Sequence, residues 1–290
     1  MRPFKHINAK SVEEASKILR ESKGKARLNA GGTDIIVAMK DNIYPEYPET
    51  IVNIKTIPNL SYIKEDGNML KVGALTLLAD ITSSSLVKQR HPLFFDSTES
   101  VASPNLRNTA TIGGNLCQDV RCWYYRYPQQ IGGRMDCLRK GGNICFAPKG
   151  DNRYHAIMEG GPCFAVCPSD IAVALLALDA KVKAQRGKSE RLIPIKNLYS
   201  QLGHTLASDE ILTEIQIPAY PGYVQRYQKF RLRKPIDFAI VSVASAVSKE
   251  GTVCRDVRLA LGGVASTPVR AAQSEALIKG RSITVELAEQ

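Results

Sequence analysis

Apolar and polar positions change over in short blocks along this chain, and the period of each block predicts its element. Phe4 to Asn8 reads as a short strand. Ser11, with Glu14 three residues on, makes a capping box ahead of Val12, Ala15, Ile18 and Leu19, which share one helical face. Ala26 to Ala30 reads as a second strand that runs into Gly31-Gly32-Thr33-Asp34, after which Ile35 to Met39 opens a helix or strand. Residues 51–54 close this first α/β unit, placed at 1–57.

A second unit is expected over 58–179. Residues 62–72 form a hairpin around Gly67, helical stretches reach about residue 103, and a second glycine turn follows at Thr111-Ile112-Gly113-Gly114-Asn115. From about 117 to 167 no period holds, and structureless loops of that length inside a compact domain usually carry a function. Order returns at Pro168-Ser169-Asp170, an N-cap signal before the apolar run Ile171 to Leu178, which reads as a buried helix. A third unit, 180–290, carries strands at 180–184, around the basic segment Arg226 to Lys234 and at 253–261; Ile283 to Gln290 reads as a helix just starting, so a longer natural chain is expected.

Composition narrows the classes. The 290 residues are 44% hydrophobic and 23% charged, which excludes a disordered or fibrous chain. No apolar run approaches the ~18 residues of a membrane span, and the opening MRPFKHINAK has no secretory h-region, so a cytoplasmic protein is expected. Six of the seven cysteines (Cys117, Cys122, Cys137, Cys145, Cys163, Cys167) fall in the periodless window, where a reducing compartment favours metal binding or redox chemistry over disulfides. The net charge of +11 fits an anionic partner and equally a solvated basic surface.

Each glycine turn lets backbone approach a phosphate at a helix start, with Thr33, Asp34, Thr111 and Asn115 adding side-chain hydrogen bonds. Neither G-x-G-x-x-G nor a Walker A sequence occurs, against a Rossmann domain or a P-loop nucleotidase. The cysteine window has no C-x-x-C pair of the kind structural zinc prefers, while four spaced thiolates suit an iron-sulfur cluster. Between 121 and 158 seven basic residues face two acidic ones, a balance that stabilises an anionic cluster. Trp123, Tyr124, Tyr125 and Tyr127 beside Cys122 would shield a cofactor or, with the arginines, imitate a single-strand nucleic-acid surface. No hydrolytic triad or paired carboxylate stands out, so no catalytic side chain is assigned.

Five segments in order, Asn29 to Asp34, Ala110 to Leu116, Pro168 to Ala172, Lys229-Phe230-Arg231 with Asp237-Phe238-Ala239, and Leu261 to Ala265, resemble the FAD-binding medium subunits of the molybdenum hydroxylases along essentially the whole chain. The resemblance implies an α+β fold: a PCMH-type, vanillyl-alcohol-oxidase-like FAD-binding domain of two α/β subdomains, then a C-terminal α+β domain as in CO dehydrogenase flavoproteins. By position it implies that Leu28, Asn29, Ala30, Gly31, Gly32, Thr33, Asp34 and Ile35 wrap the pyrophosphate of FAD. Thr111, Gly114, Asn115, Gln118, Asp170 and Lys229 complete the FAD site.

The insertion after Gln118 is similar to that of the subset with a [4Fe-4S] cluster, as in 4-hydroxybenzoyl-CoA reductase and aldehyde oxidoreductase. This implies Cys122, Cys137, Cys145 and Cys163 as ligands, with Cys167 as the reserve for the fourth. The implied partners are a molybdenum-cofactor large subunit and a [2Fe-2S] small subunit, assembled as a heterotrimer or its dimer. Ferredoxin or NAD(P) is the implied external carrier, and neither nucleic acid nor membrane is involved. Two other readings stay open on the residues alone: a zinc-stabilised basic nucleic-acid-binding module, and a flavin-only subunit with structural cysteines.

Overall fold

The computed structural model describes residues 1–234 and 236–289. The first unit contains β1 (Lys5–Asn8), α1 (Val12–Glu21), β2 (Ala26–Asn29), α2 (Ile35–Lys40) and β3 (Thr50–Asn53), with the strands in a parallel sheet of order β1-β3-β2. The helix α1 forms where its cap predicts. Ser11 Oγ accepts from Glu14 N at 3.1 Å, and the Glu14 carboxylate reaches back to Lys10 N at 2.7 Å, one residue before the usual partner. Val12, Ala15 and Leu19 of that helix pack on Ala26 and Val52 of the sheet, while Ile18 is only partly buried.

The chain then makes β4 (Ile63–Asp66), β5 (Met69–Gly73) and the short helices α3 (Leu78–Ser83), α4 (Ser85–Arg90), α5 (Pro92–Glu99), α6 (Pro104–Arg107) and α7 (Ile112–Leu116). The cysteine segment follows with little regular structure beyond α8 (Gln129–Gly132) and two 3-10 turns. Beyond it, α9 (Asp170–Ala177) is buried at every residue, because after Asp170 it is wholly apolar and has no face to offer water. Its N-cap is Ser169, whose Oγ accepts from Ala172 N at 3.1 Å.

After α9 come β6 (Lys181–Arg186), β7 (Ser189–Pro194), the two-residue strands β8 (Tyr199–Ser200) and β9 (Gly203–His204), and β10 (Ile211–Pro218). Here the expected boundary at 179/180 is corrected. β10 pairs antiparallel with both β5 and β6, giving one five-stranded sheet of order β4-β5-β10-β6-β7, so the second unit runs on to Pro218. The third unit is β11 (Val224–Phe230), β12 (Val241–Glu250), β13 (Val253–Gly262) and β14 (Val269–Arg270) in an antiparallel sheet, with α10 (Ala272–Ile278) and α11 (Val285–Glu289); Gln290 lies outside the described residues. The largest core joins the second and third units: Ile171 to Ala177 contribute to it together with Val72, Ile215, Ala244 and Ala260.

One core residue makes this fold acid-sensitive. His91, before α5, is 1% exposed, its Nδ1 has no partner among the described residues, and burial pushes its pKa from 6.5 down to about 4. The unfolded chain therefore takes up a proton below pH 6.5 that the folded chain refuses until about pH 4. Stability is fully retained above the upper value and falls as pH drops through that window, by about 3 kcal/mol from this group. Urea unfolding at pH 7.5 and pH 4.5 measures it: the acid loss should be smaller in His91→Leu, and an equal loss in both proteins rules His91 out.

Candidate functional site

Two glycine turns and two cavities make the site. Gly31 and Gly32 follow β2, and Gly32 holds a positive φ of +75° that favours glycine. A β-carbon on Gly31 would lie 2.9 Å from Ala110 Cα and closer still to the Thr109 carbonyl oxygen, so the absence of a side chain lets the two turns touch. The backbone N–H groups of Gly32, Thr33, Asp34 and Ile35 have no hydrogen-bond partner among the described residues. That row of free donors is what an anionic group requires.

The second turn differs from expectation here. Ile112 N donates to Thr76 O (3.0 Å), Gly113 N to Ala74 O (2.9 Å), Gly114 N to Thr111 Oγ (3.1 Å) and Asn115 N to Thr111 O (2.9 Å). Its backbone donors are used internally, so it contributes a wall and side chains and no phosphate cradle.

A cavity of ≈520 Å³ runs over the first turn, lined by Leu28, Ala30 to Ile35, Thr111, Gly114 and Gln118. A second, of ≈230 Å³, shares Thr33, Asp34, Gly114 and Gln118 with it and adds Asn115, Asp170 and Lys229. The common walls make one elongated cleft, suited to a long ligand with a phosphate near its middle. Asn29 lines neither cavity, and its Oδ1 is buried without a partner among the described residues. In the second cavity Lys229 Nζ lies 2.7 Å from Asp170 Oδ2, and Tyr227 donates to Asp170 Oδ1 at 2.7 Å. Burial pushes the Asp170 carboxyl up, while the Lys229 ammonium and the Tyr227 hydroxyl draw it back down.

Part of the cleft wall carries no signal in the sequence. Tyr44, Tyr199, Leu202 and His204 also line the larger cavity, beside Tyr125 of the expected aromatic patch. The strands β8 and β9 that bring three of these there are too short to show any period. Asp34 also takes a different part. It was expected to bond the ligand, but its Oδ1 meets Arg126 (2.7 Å) and Arg121 (2.9 Å), and its Oδ2 accepts from Asp119 N (2.8 Å). Its carboxylate ties the root of the cysteine segment to the first turn.

Cys122, Cys137, Cys145 and Cys163 line one small cavity, walled further by Tyr124, Tyr125, Leu138, Arg139, Phe146 and Ala165. Cys167 lines the large cleft instead, and burial pushes its thiol up to about 12. Burial pushes Cys122 up to about 11, and Cys163 and Cys137 nearby oppose a charge on it, so thiolates here need a compensating cation. His155, 5% exposed, sits with Nε2 3.2 Å from Cys122 Sγ, and Arg139 Nε donates to Cys163 Sγ at 3.2 Å. Among the described residues no three His, Cys, Asp or Glu side chains come together tightly enough for a single metal ion. Zinc, with its ligands at about 2.3 Å, is thereby disfavoured. The nucleic-acid reading finds no support either: Arg121 and Arg126 are spent on Asp34, Arg134 on Asp136 and Arg153 on Asp151.

Free backbone donors over an elongated cleft, on two α/β units followed by an antiparallel C-terminal unit, define a nucleotide-cofactor-binding subunit. The family is shown by comparison: residues 2–220 match the FAD binding domain in molybdopterin dehydrogenase, and residues 225–290 match the CO dehydrogenase flavoprotein C-terminal domain. The chain belongs to the FAD-binding medium subunits of the molybdenum hydroxylase family, and it is an oxidoreductase subunit. It is 31% identical to the aldehyde oxidoreductase FAD-binding subunit PaoB of Escherichia coli, over 95% of this chain and 86% of that one. It is 28% identical to the glyceraldehyde dehydrogenase medium chain of Sulfolobus acidocaldarius, over 98% and 84%. Among solved structures, the carbon monoxide dehydrogenase of Hydrogenophaga pseudoflava superposes with a TM-score of 0.78 at 26% identity, covering 99% of this chain and 83% of that one. Among the described residues no helix is long and apolar enough to cross a membrane.

Proposed function

We propose that this chain is the electron-transfer subunit of a molybdenum-dependent dehydrogenase or reductase, holding FAD in the cleft and a [4Fe-4S] cluster on Cys122, Cys137, Cys145 and Cys163. The observation that carries the cluster reading is the single small cavity lined by those four thiols. Four thiolates around a cubane stand further apart than four around one ion, so a cubane is compatible with the lack of a tight three-ligand group. FAD, when bound, supplies the exchange between two-electron and one-electron steps. The chain's own residues bind and orient it. The free N–H groups of Gly32 to Ile35 receive its pyrophosphate, Thr111 and Gln118 wall the cleft, and the buried Asp170–Lys229 pair presents a fixed ammonium and carboxylate to the adjoining cavity.

The large molybdenum subunit, the [2Fe-2S] small subunit and an external carrier, ferredoxin or NAD(P), belong to the same proposal, which is set in the cytoplasm where the free thiols stay reduced. A flavin-only subunit is the second reading, favoured by the lack of a tight ligand group among the described residues. A visible spectrum with iron, sulfide and zinc analysis separates the two. Flavin bands with about four irons per chain support the cluster, and flavin without iron supports the second reading. Cys137→Ser should lose the iron and keep FAD; full iron content in that variant sinks the ligand assignment.

A further inference from the structure

We propose that Arg139 is a positioning residue that couples the two sites, so that occupancy of the flavin cleft sets the reduction potential of the cluster. The proposal rests on the cluster reading above. Arg139 and Tyr125 are side chains that line both the large cleft and the thiol cavity, so they form the wall between them. Of the two, Arg139 has a polar hold on each side. Its Nε donates to Cys163 Sγ at 3.2 Å, and its Nη2 donates to Gln201 O at 2.9 Å. Gln201 lies in the turn between β8 and β9, and the next three residues, Leu202, Gly203 and His204, line the cleft.

The physical consequence follows from the shape of the side chain. A guanidinium is a rigid planar fork, so a shift of the Gln201 carbonyl turns the Nε–H that points at sulfur. The hairpin can supply such a shift: each of its strands has two residues, Leu202 at its turn is 49% exposed, and the Tyr199 hydroxyl anchors it to Leu116 O at 2.9 Å. A ligand filling the cleft presses on this hairpin and holds the fork in place. A cationic N–H on a ligand sulfur stabilises the more negative, reduced cluster and raises its potential. By linkage, FAD then binds more tightly when the cluster is reduced, by the same factor that the potential shift represents. Nearby Lys140, 4% exposed, keeps its ammonium over the Tyr125 ring at 5.7 Å and touches neither the Gln201 carbonyl nor Cys163. It serves as the control.

The test uses the intact complex as purified. Iron and acid-labile sulfide are measured first; a wild-type complex with no iron beyond that of its [2Fe-2S] subunit sinks the cluster reading and this proposal with it. With iron present, the cluster midpoint is titrated by EPR with FAD bound and after FAD removal by bromide dialysis. The midpoint is expected to fall on flavin removal, by an amount equivalent to roughly 5-fold or more in FAD affinity. In Arg139→Lys the charge remains but the double hold is lost, so the midpoint should no longer respond to flavin; Lys140→Met should respond as the wild type does. Equal wild-type midpoints with and without FAD overturn the coupling while leaving the cluster reading intact. A full-sized response in Arg139→Lys overturns the assignment to Arg139. If Arg139→Lys shows no [4Fe-4S] signal, Arg139→Gln takes its place under the same criteria, and equal wild-type midpoints overturn the coupling in either case.

Discussion

Asp34→Ala is expected to strip the protein of flavin and of an ordered cysteine segment together. The Asp34 carboxylate accepts from Arg126 and Asp119 N and pairs with Arg121, and the two arginine side chains are only 13% and 27% exposed. Removing the anion leaves two partly buried guanidinium groups with only the Asp119 carboxylate nearby and neutral oxygens of Gln118, Asp119 and Val120 to meet them, at a cost of about 3 kcal/mol. In a chain of this size that lowers the melting temperature by roughly 6–12 °C. The loss is also local. Residues 119–126 are pinned to the first glycine turn through this one side chain, so both the cleft and the position of Cys122 depend on it. Flavin content after desalting, a thermal melt and limited proteolysis of the 117–167 segment read the three effects. A variant that keeps full flavin and a protease-resistant segment shows that Asp34 is not the tie.

Gly31→Val should separate the two sites instead. Its β-carbon would meet the Thr109 carbonyl and Ala110 Cα, which are backbone atoms and cannot rotate away. The two turns must then part, and overpacking of that kind costs about 1–3 kcal/mol or more. The first turn carries the free N–H donors, so the cost falls on ligand binding, and FAD affinity should drop by about tenfold to a hundredfold. The four-thiol cavity has no wall at residue 31 and should be unaffected. Equilibrium dialysis with FAD, beside iron analysis, measures the split. Gly32→Ala is the milder comparison: its β-carbon would press on the flexible end of Ile36 at 2.9 Å, which can move, leaving mainly the strain of φ +75°. Unchanged FAD affinity in Gly31→Val would mean the two turns need no contact to hold the ligand.

Much of the local structure was legible from residues alone, because its causes are local. The capping box of α1, the Gly67 hairpin and the Ser169 cap of α9 each depend on side chains within a few positions of one another, and all three form. The pairing of Val72 with Ile215, which carries the second unit beyond the expected boundary, joins segments remote in sequence, and neither segment's periodicity names its partner. The two-residue strands β8 and β9 left no pattern to read, yet they supply Tyr199 and His204 to the cleft.

The same division runs through the site. Residue order alone marked two glycine turns, a cluster of thiols and a basic loop, and the matching family bears out a flavin-binding subunit. Which turn keeps its backbone donors free was decided by the tertiary structure, because the partners that occupy the second turn, Thr76 O and Ala74 O, come from the strand end before α3. So was the use of Asp34, whose charge is claimed by two arginines that only folding brings to it. Cys163 and Cys167 are chemically alike and four residues apart, but Cys163 O accepts from Ser266 Oγ at 2.8 Å and Cys167 N donates to Ala265 O at 3.0 Å. Held this way on a distant segment, the first lines the thiol cavity and the second the flavin cleft. Sequence by itself determined which chemical groups this protein carries and roughly where its elements begin. Only the packing of distant segments decided which of those groups meet, since a side chain's direction is set by neighbours that the local pattern does not contain.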